Sequence, residues 1–224
     1  MNQLAAAWQW ILDPAHWAGP DGIPVRMWEH LWYTFAAVGI AAAIAIPIGL
    51  AIGHTGRGRA LAVGSTSAAR AIPTLGLITL LALMWGVGLT APMVAFVVLA
   101  IPSILAGAYA GVDSVEPHVT DAATAMGMTG TQVLGRVEVP LALPMIWGGI
   151  RAGTLQVVAT ATLAAYVGSG GLGRYLFRGL KTQDYPQMLA SALLVVGLAI
   201  ALEAVLAFAQ RVMVPRGVRE RSRR

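Results

Sequence analysis

An all-α integral membrane protein is the fold this sequence predicts, on three observations. Hydrophobic residues make up 57% of the 224 and charged residues 11%, against about 25% charged in ordinary soluble domains, so one water-facing core is not the destination. Leu31 to Gly53 is a run of 23 residues without Asp, Glu, Lys or Arg, and at about 1.5 Å per residue it crosses a hydrocarbon core of about 30 Å. The basic residues, finally, fall unevenly among the connecting segments, as they do in a chain with one fixed orientation.

The opening stretch MNQLAAAWQWILDPAHW has neither the basic start nor the small-residue cleavage site of a signal peptide, so it is expected to belong to the mature protein. Its tryptophans at 8, 10 and 17 suit a membrane interface, and residues 1–28 are expected to form an extracytoplasmic, interfacial segment. The apolar body then occupies 29–212, with a basic tail at 213–224. Within the body, Leu31–Gly53 is the first span, Ala91–Gly111 another, and Ala152–Gly173 a third whose glycine-rich end leaves the membrane near Val167. Two runs are weaker: Ala71–Trp85 is too short unless it borrows residues upstream past Arg70, and Met188–Ala209 carries Glu203. Five spans put the termini on opposite faces.

With the C-terminus in the cytoplasm, Arg57, Arg59, Arg136 and the six arginines between Arg211 and Arg224 lie inside. Arg26, Arg174, Arg178 and Lys181 lie outside, and Arg70 and Arg151 sit near cytoplasmic helix ends. Nine against four predicts N-out, C-in. Trp28, Trp32, Trp85 and Tyr166 then fall near the outer boundary and Trp147 near the inner one. The cytoplasmic loops become 54–60 and about 112–145. The tail abuts an apolar span and forms no basic face, which argues against nucleic acid as a partner.

The longer loop is the unusual one. Pro117 suits a first helical turn and Gly127 a left-handed stop after TDAATAM. Thr129 followed by Gln132 fits a capping box that restarts a helix, with Val133, Leu134 and Val137 on one face before Pro140 ends it. Met126 and Met128 at the turn are soft apolar contacts of the kind found on docking surfaces. From these spacings alone, the hairpin serves equally well as a docking element or as an interfacial loop packing its apolar face on the bundle.

The residues of this loop resemble the EAA loop of permease subunits of ATP-binding-cassette importers: Asp121, Ala122 and Ala123 for the triplet, Gly127 four residues after it, and Val137, Val139 and Pro140 for the apolar-x-apolar-Pro ending. Asp121 replaces the usual glutamate and keeps the charge. The similarity extends from about Arg70 to Tyr185, through AIPTLGL, PSILAGAYAGVDSVEP, PLALPMIWGGIRAG and GSGGLGRYLFRGL, and is greatest toward importers of the glycine betaine, choline and carnitine type. Methionine importer permeases are the nearest competitor. The resemblance implies a type I importer permease in a bacterial inner membrane. It implies that the loop, with Asp121, Ala122, Ala123, Met126, Gly127, Met128, Val137, Val139 and Pro140, inserts into a separate ATPase subunit. It further implies a second permease subunit and an extracytoplasmic solute-binding protein.

Other motifs resolve differently. Gly168, Gly170 and Gly173 satisfy GxGxxG, but an apolar span precedes them where a dinucleotide site needs a strand, and the next acid is Asp184; a flexible outer loop is expected instead. Lys181-Thr182 imitates the end of a phosphate-binding loop, yet Leu180 stands at its glycine position. The chain is therefore expected to bind no cofactor, ATP and Mg²⁺ being used by the partner ATPase. Gly49 and Gly53, Gly107 and Gly111, and Gly149 and Gly153 have the spacing of close helix packing.

Tyr109 and Glu203 are candidates for contact with solute. Glu203, an acid inside a span, needs a partner such as Arg151 or water. A membrane enzyme would require acids and histidines converging at one depth, whereas His16, His30, His54 and His118 are scattered. A secondary transporter that runs without ATP would show inverted repeats, and the chain has no internal repeat.

Overall fold

The computed structural model describes residues 3–60, 64 and 71–213. Its described residues form helices and connecting turns, with no strand among them: α1 (Gln3–Leu12), α2 (Ile23–Thr55), α3 (Thr74–Trp85), α4 (Thr90–Asp113), α5 (Pro117–Ala125), α6 (Gly130–Val133), α7 (Val139–Ala161), α8 (Gly173–Thr182) and α9 (Tyr185–Met213). A π turn, Leu134–Glu138, joins α6 to α7, and a 3₁₀ segment, Thr162–Val167, follows α7. Among the described residues, four stretches are long and apolar enough to cross a membrane: Ile23–Thr55, Thr90–Asp113, Gly130–Val167 and Tyr185–Met213. The run expected at 71–85 is the 12-residue α3, and the upstream extension past Arg70 that would lengthen it lies outside the described residues. So does the basic tail beyond Met213.

The span expected at 152–173 begins much earlier. Pro140 was expected to end the hairpin's second helix; instead it occupies the second position of α7, and α6, the π turn and α7 run on without a break. The π turn explains why. A proline has no N–H to donate to the preceding turn. Val139 N–H reaches back to Leu134 O, five residues away, so the turn before Pro140 is already widened and tolerates the missing donor. The non-spanning loop is thereby shorter than 112–145 at both ends, since α4 also continues to Asp113.

The chain divides into two compact units. The first comprises Met1–Val38, Ile72–Val98 and Thr154–Leu202. Its core joins Ile23, Val158, Leu172, Tyr175, Leu198 and Leu202, and α1 packs on it through Ala7 and Ile11 against Ala190. Trp10 stacks on His16 at 3.9 Å between ring centres and meets Tyr175 edge-on. The turn at 168–172, expected to be flexible, is instead pinned. Gly170 N–H donates to Tyr33 Oη at 3.3 Å and Gly171 N–H to Glu29 Oε2 at 2.8 Å. Ser169 Oγ donates to Gly88 O, and Ser191 Oγ to Leu172 O. Its glycines serve the turn and its packing: Gly168 and Gly171 have φ of +85° and +84°, and a β-carbon on Gly173, at the start of α8, would collide with Thr162 O.

The second unit comprises Gly39–Ala71, Leu99–Gly153 and Glu203–Arg224. It is held by close backbone approach at the paired glycines. A β-carbon on Gly49 would stand 2.7 Å from Ala108 Cβ, and one on Gly107 would stand 2.6 Å from Met145 O and 2.8 Å from Gly149 Cα. These contacts require glycine, and they bring α2, α4 and α7 together around Ala108, Val112, Ala142 and Ile146.

Candidate functional site

The hairpin at 117–138 lies wholly within the second unit, and each of its ends is made locally. Pro117 opens α5, where its missing N–H is one the helix start would leave unpaired anyway. At the other end Gly127 has φ of +89°, a backbone that favours glycine. Its N–H donates to Thr124 O at 2.9 Å, and Met128 N–H donates to Ala123 O at 3.2 Å, the paired bonds of a Schellman ending. Two residues after Gly127, Thr129 N–H donates to Gln132 Oε1 at 2.9 Å, the return arm of a capping box that starts α6. Two short helices with a fixed corner result.

Burial separates the motif residues into two sets. Asp121, Ala122 and Met126 are exposed, Met126 to 78%. Ala123 and Val133 are buried, and Met128, Val137, Val139 and Pro140 are half-buried. Leu134 packs on the cluster of Ala108, Val112, Ala142 and Ile146, so the second arm is rooted among α2, α4 and α7 while α5 and the corner present their outer face.

A carboxylate also faces inward from this arm. Glu138, at the end of the π turn, is 6% exposed, and His54 Nδ1, in the last turn of α2, lies 2.7 Å from its Oε2. Burying an unpaired carboxylate costs several kcal/mol, so the partner is required. Sequence reasoning missed this pair: the two residues are 84 positions apart and no local pattern joins them.

The two solute candidates stay separate. Tyr109 is buried, its hydroxyl 3.4 Å from Asp113 Oδ2 and its ring face under the Arg59 guanidinium at 5.9 Å. Glu203 pairs with Arg151 through both carboxylate oxygens. Arg151 also donates to Gln210 Oε1 at 2.5 Å, and Gln210 donates to Pro144 O at 3.1 Å. That is the compensation an acid in a span needs.

In the first unit, a cleft of about 420 Å³ is lined by Tyr166, Phe177 and the basic side chains Arg174, Arg178 and Lys181, with Asp21 at one side. The hydrogen bond from Arg26, and then its charge, hold the Asp21 carboxyl below its ordinary range. Burial pushes the Tyr175 hydroxyl up to about 12, and that hydroxyl donates to Asp21 O at 2.5 Å. No group of three or more histidines and acids that would hold a metal ion exists among the described residues.

Among the described residues, four stretches long and apolar enough to cross a membrane, one of them continuous with the second arm of the capped hairpin, give the chain the make-up of a multi-pass membrane protein. Residues 43–219 match the family of binding-protein-dependent transport system inner membrane components, and the chain belongs to that family. It is 33% identical over 190 residues to the glycine betaine/carnitine/choline transport system permease protein OpuCB of Bacillus subtilis (strain 168), covering 85% of this chain and 88% of that protein. It is 31% identical to the choline transport system permease protein OpuBB of the same organism, over 86% of this chain and 89% of that one. Among solved structures, an inward-facing form of the MetNI methionine ABC transporter matches with a TM-score of 0.71 at 23% identity, covering 84% of this chain and 94% of that one. The all-helical fold of a type I importer permease is thereby shown, and a multi-pass inner-membrane protein with it.

Proposed function

We propose that this chain is the permease subunit of an ATP-driven importer that moves a compatible solute, glycine betaine, choline, carnitine or a similar quaternary amine, into the cytoplasm. The observation that carries the mechanism is the hairpin: its exposed face of Asp121, Ala122 and Met126 stands on a corner capped at both sides, and its second arm roots in three helices. Such an element transmits a push without absorbing it. ATP and Mg²⁺ belong to a separate ATPase subunit, whose closure on ATP moves the hairpin and opens the pathway outward; hydrolysis resets it. A second permease chain, identical or similar, completes the pathway, and an extracytoplasmic binding protein delivers solute. Orientation is N-out, C-in, which puts the hairpin and the ATPase in the cytoplasm.

The solute class is supported by the relatives' transport of glycine betaine, carnitine and choline. A methionine importer is the second reading, supported by likeness of fold to MetNI at 23% identity. Uptake of labelled glycine betaine, choline and methionine in a strain lacking its own importers separates the two: saturable uptake of the quaternary amines is expected, and uptake of methionine alone overturns the solute assignment. Copurification of the tagged chain with an ATPase subunit tests the engine, and its failure would favour a transporter that runs without ATP.

A further inference from the structure

Glu138 and His54 occupy a position that burial alone does not explain. The ring of His54, from the last turn of α2, meets Glu138 Oε2 at 2.7 Å through Nδ1. On its other side, a β-carbon on Gly130 would stand 3.3 Å from Nε2, closer than such contacts comfortably run. One imidazole from α2 is thus seated between the first residue of α6 and the last residue of the π turn, touching both ends of the hairpin's second arm. The π turn aims the carboxylate: Glu138 is the residue just before Val139, whose N–H closes the widened turn onto Leu134 O.

The arm does not need the pair to stay attached. Leu134 already anchors it on the apolar cluster of Ala108, Val112, Ala142 and Ile146, and apolar contact is non-directional. A buried hydrogen bond to a carboxylate adds little net cohesion but penalises every other geometry, because separation leaves a buried carboxylate without its partner. Apolar packing lets the arm slide; the buried hydrogen bond forbids sliding.

We propose that His54 and Glu138 are positioning residues for energy coupling, a latch that makes the second arm of the hairpin and the cytoplasmic end of α2 move as one body. The proposal rests on reading the hairpin as the ATPase attachment. Gly130 belongs to the latch as its close neighbour, since a β-carbon there would stand 3.3 Å from His54 Nε2 and the imidazole would have to give by a few tenths of an ångström.

The test uses the whole importer, with its ATPase and binding protein, in proteoliposomes, and reads labelled glycine betaine imported per ATP hydrolysed. Glu138→Gln and Gly130→Ala are expected to lower that ratio at least about fivefold, the scale of ordinary coupling between sites, while the ATPase still copurifies and still hydrolyses ATP. The exchanged protein, His54→Glu with Glu138→His, restores the pair in reverse and is expected to recover most of the ratio. An unchanged ratio in assembled Glu138→Gln and Gly130→Ala proteins overturns the latch. If Glu138→Gln fails to accumulate, the exchanged protein decides: a normal ratio supports the latch, and an assembled but uncoupled protein overturns it. Asp121→Arg is run beside these. If it uncouples and the latch variants do not, the latch alone is rejected; if it also leaves the ratio intact, the docking reading falls.

Discussion

The two polar connections of this chain, 114–138 and 168–182, are built on opposite plans. In the hairpin, each end is made by residues within five positions of one another: Pro117 opening α5, Gly127 and Met128 closing it, Thr129 and Gln132 starting α6. Its outer face is left exposed, with Met126 at the corner. In the glycine-rich connection, the shape comes from far away: Glu29 and Tyr33 of α2 hold Gly171 and Gly170 across 142 and 137 positions, and Ser169 bonds Gly88. A locally capped element keeps its shape while it moves as a body. One held by distant side chains keeps its shape only while those partners stay.

Breaking the corner of the hairpin should have the largest effect. Proline holds φ near −65° and lacks an N–H, whereas Gly127 has φ of +89° and donates to Thr124 O. Gly127→Pro should therefore cost the corner about 3 kcal/mol or more and lower solute uptake about a hundredfold, with chain abundance in the membrane maintained, as blotting of membrane fractions checks.

The second connection should show a different symptom. Glu29→Ala removes the acceptor for Gly171 N–H and one partner of Arg26. Leaving buried donors unsatisfied costs about 1–3 kcal/mol, so amides of 168–173 should exchange about tenfold faster in hydrogen-exchange mass spectrometry. Amides of 117–133 should not change. Faster exchange in both would erase the distinction between local and distant construction.

The contrast also sets what was legible before the structure. The hairpin could be read residue by residue because its signals are caps and a left-handed glycine, all short-range. Its end could not: Pro140 obeys the rule that proline stops a helix unless the preceding turn is widened, and nothing in LGRVEVP announces a π turn. The pinned glycine loop and the His54–Glu138 pair were invisible for the other reason, that their partners come together through tertiary packing. Glu203 was an intermediate case, since an acid in an apolar run demands a partner and Arg151 was one of few available.

A smaller effect sharpens the account of the caps. Thr129→Ala removes the side chain of a helix-starting residue, worth about 1 kcal/mol, and should lower uptake less than tenfold, with Thr129→Ser restoring it. Equal damage from Thr129→Ala and Gly127→Pro would mean that any change in the hairpin is fatal and that the caps carry no graded role.

The smallest effect lies in the first unit. Because the Asp21 carboxyl is held below its ordinary value of 3.8 by Arg26, its contribution to stability is present above that pH and is lost as pH falls through the depressed value. The side chain is 63% exposed, so the contribution is under about 1 kcal/mol. Thermal unfolding in detergent should show Asp21→Asn slightly less stable than the parent at pH 6, with the difference shrinking toward pH 3. A difference that grows on acidification contradicts the pairing.

The chain contains no cysteine, so one introduced at either connection is uniquely addressable. A thiol-reactive crosslinker at Met126→Cys and, separately, at Arg178→Cys compares the two connections in the assembled importer. The account predicts that position 126 crosslinks to the ATPase subunit in a nucleotide-sensitive manner and that position 178 does not. Crosslinking to the ATPase from position 178, with none from position 126, would contradict it.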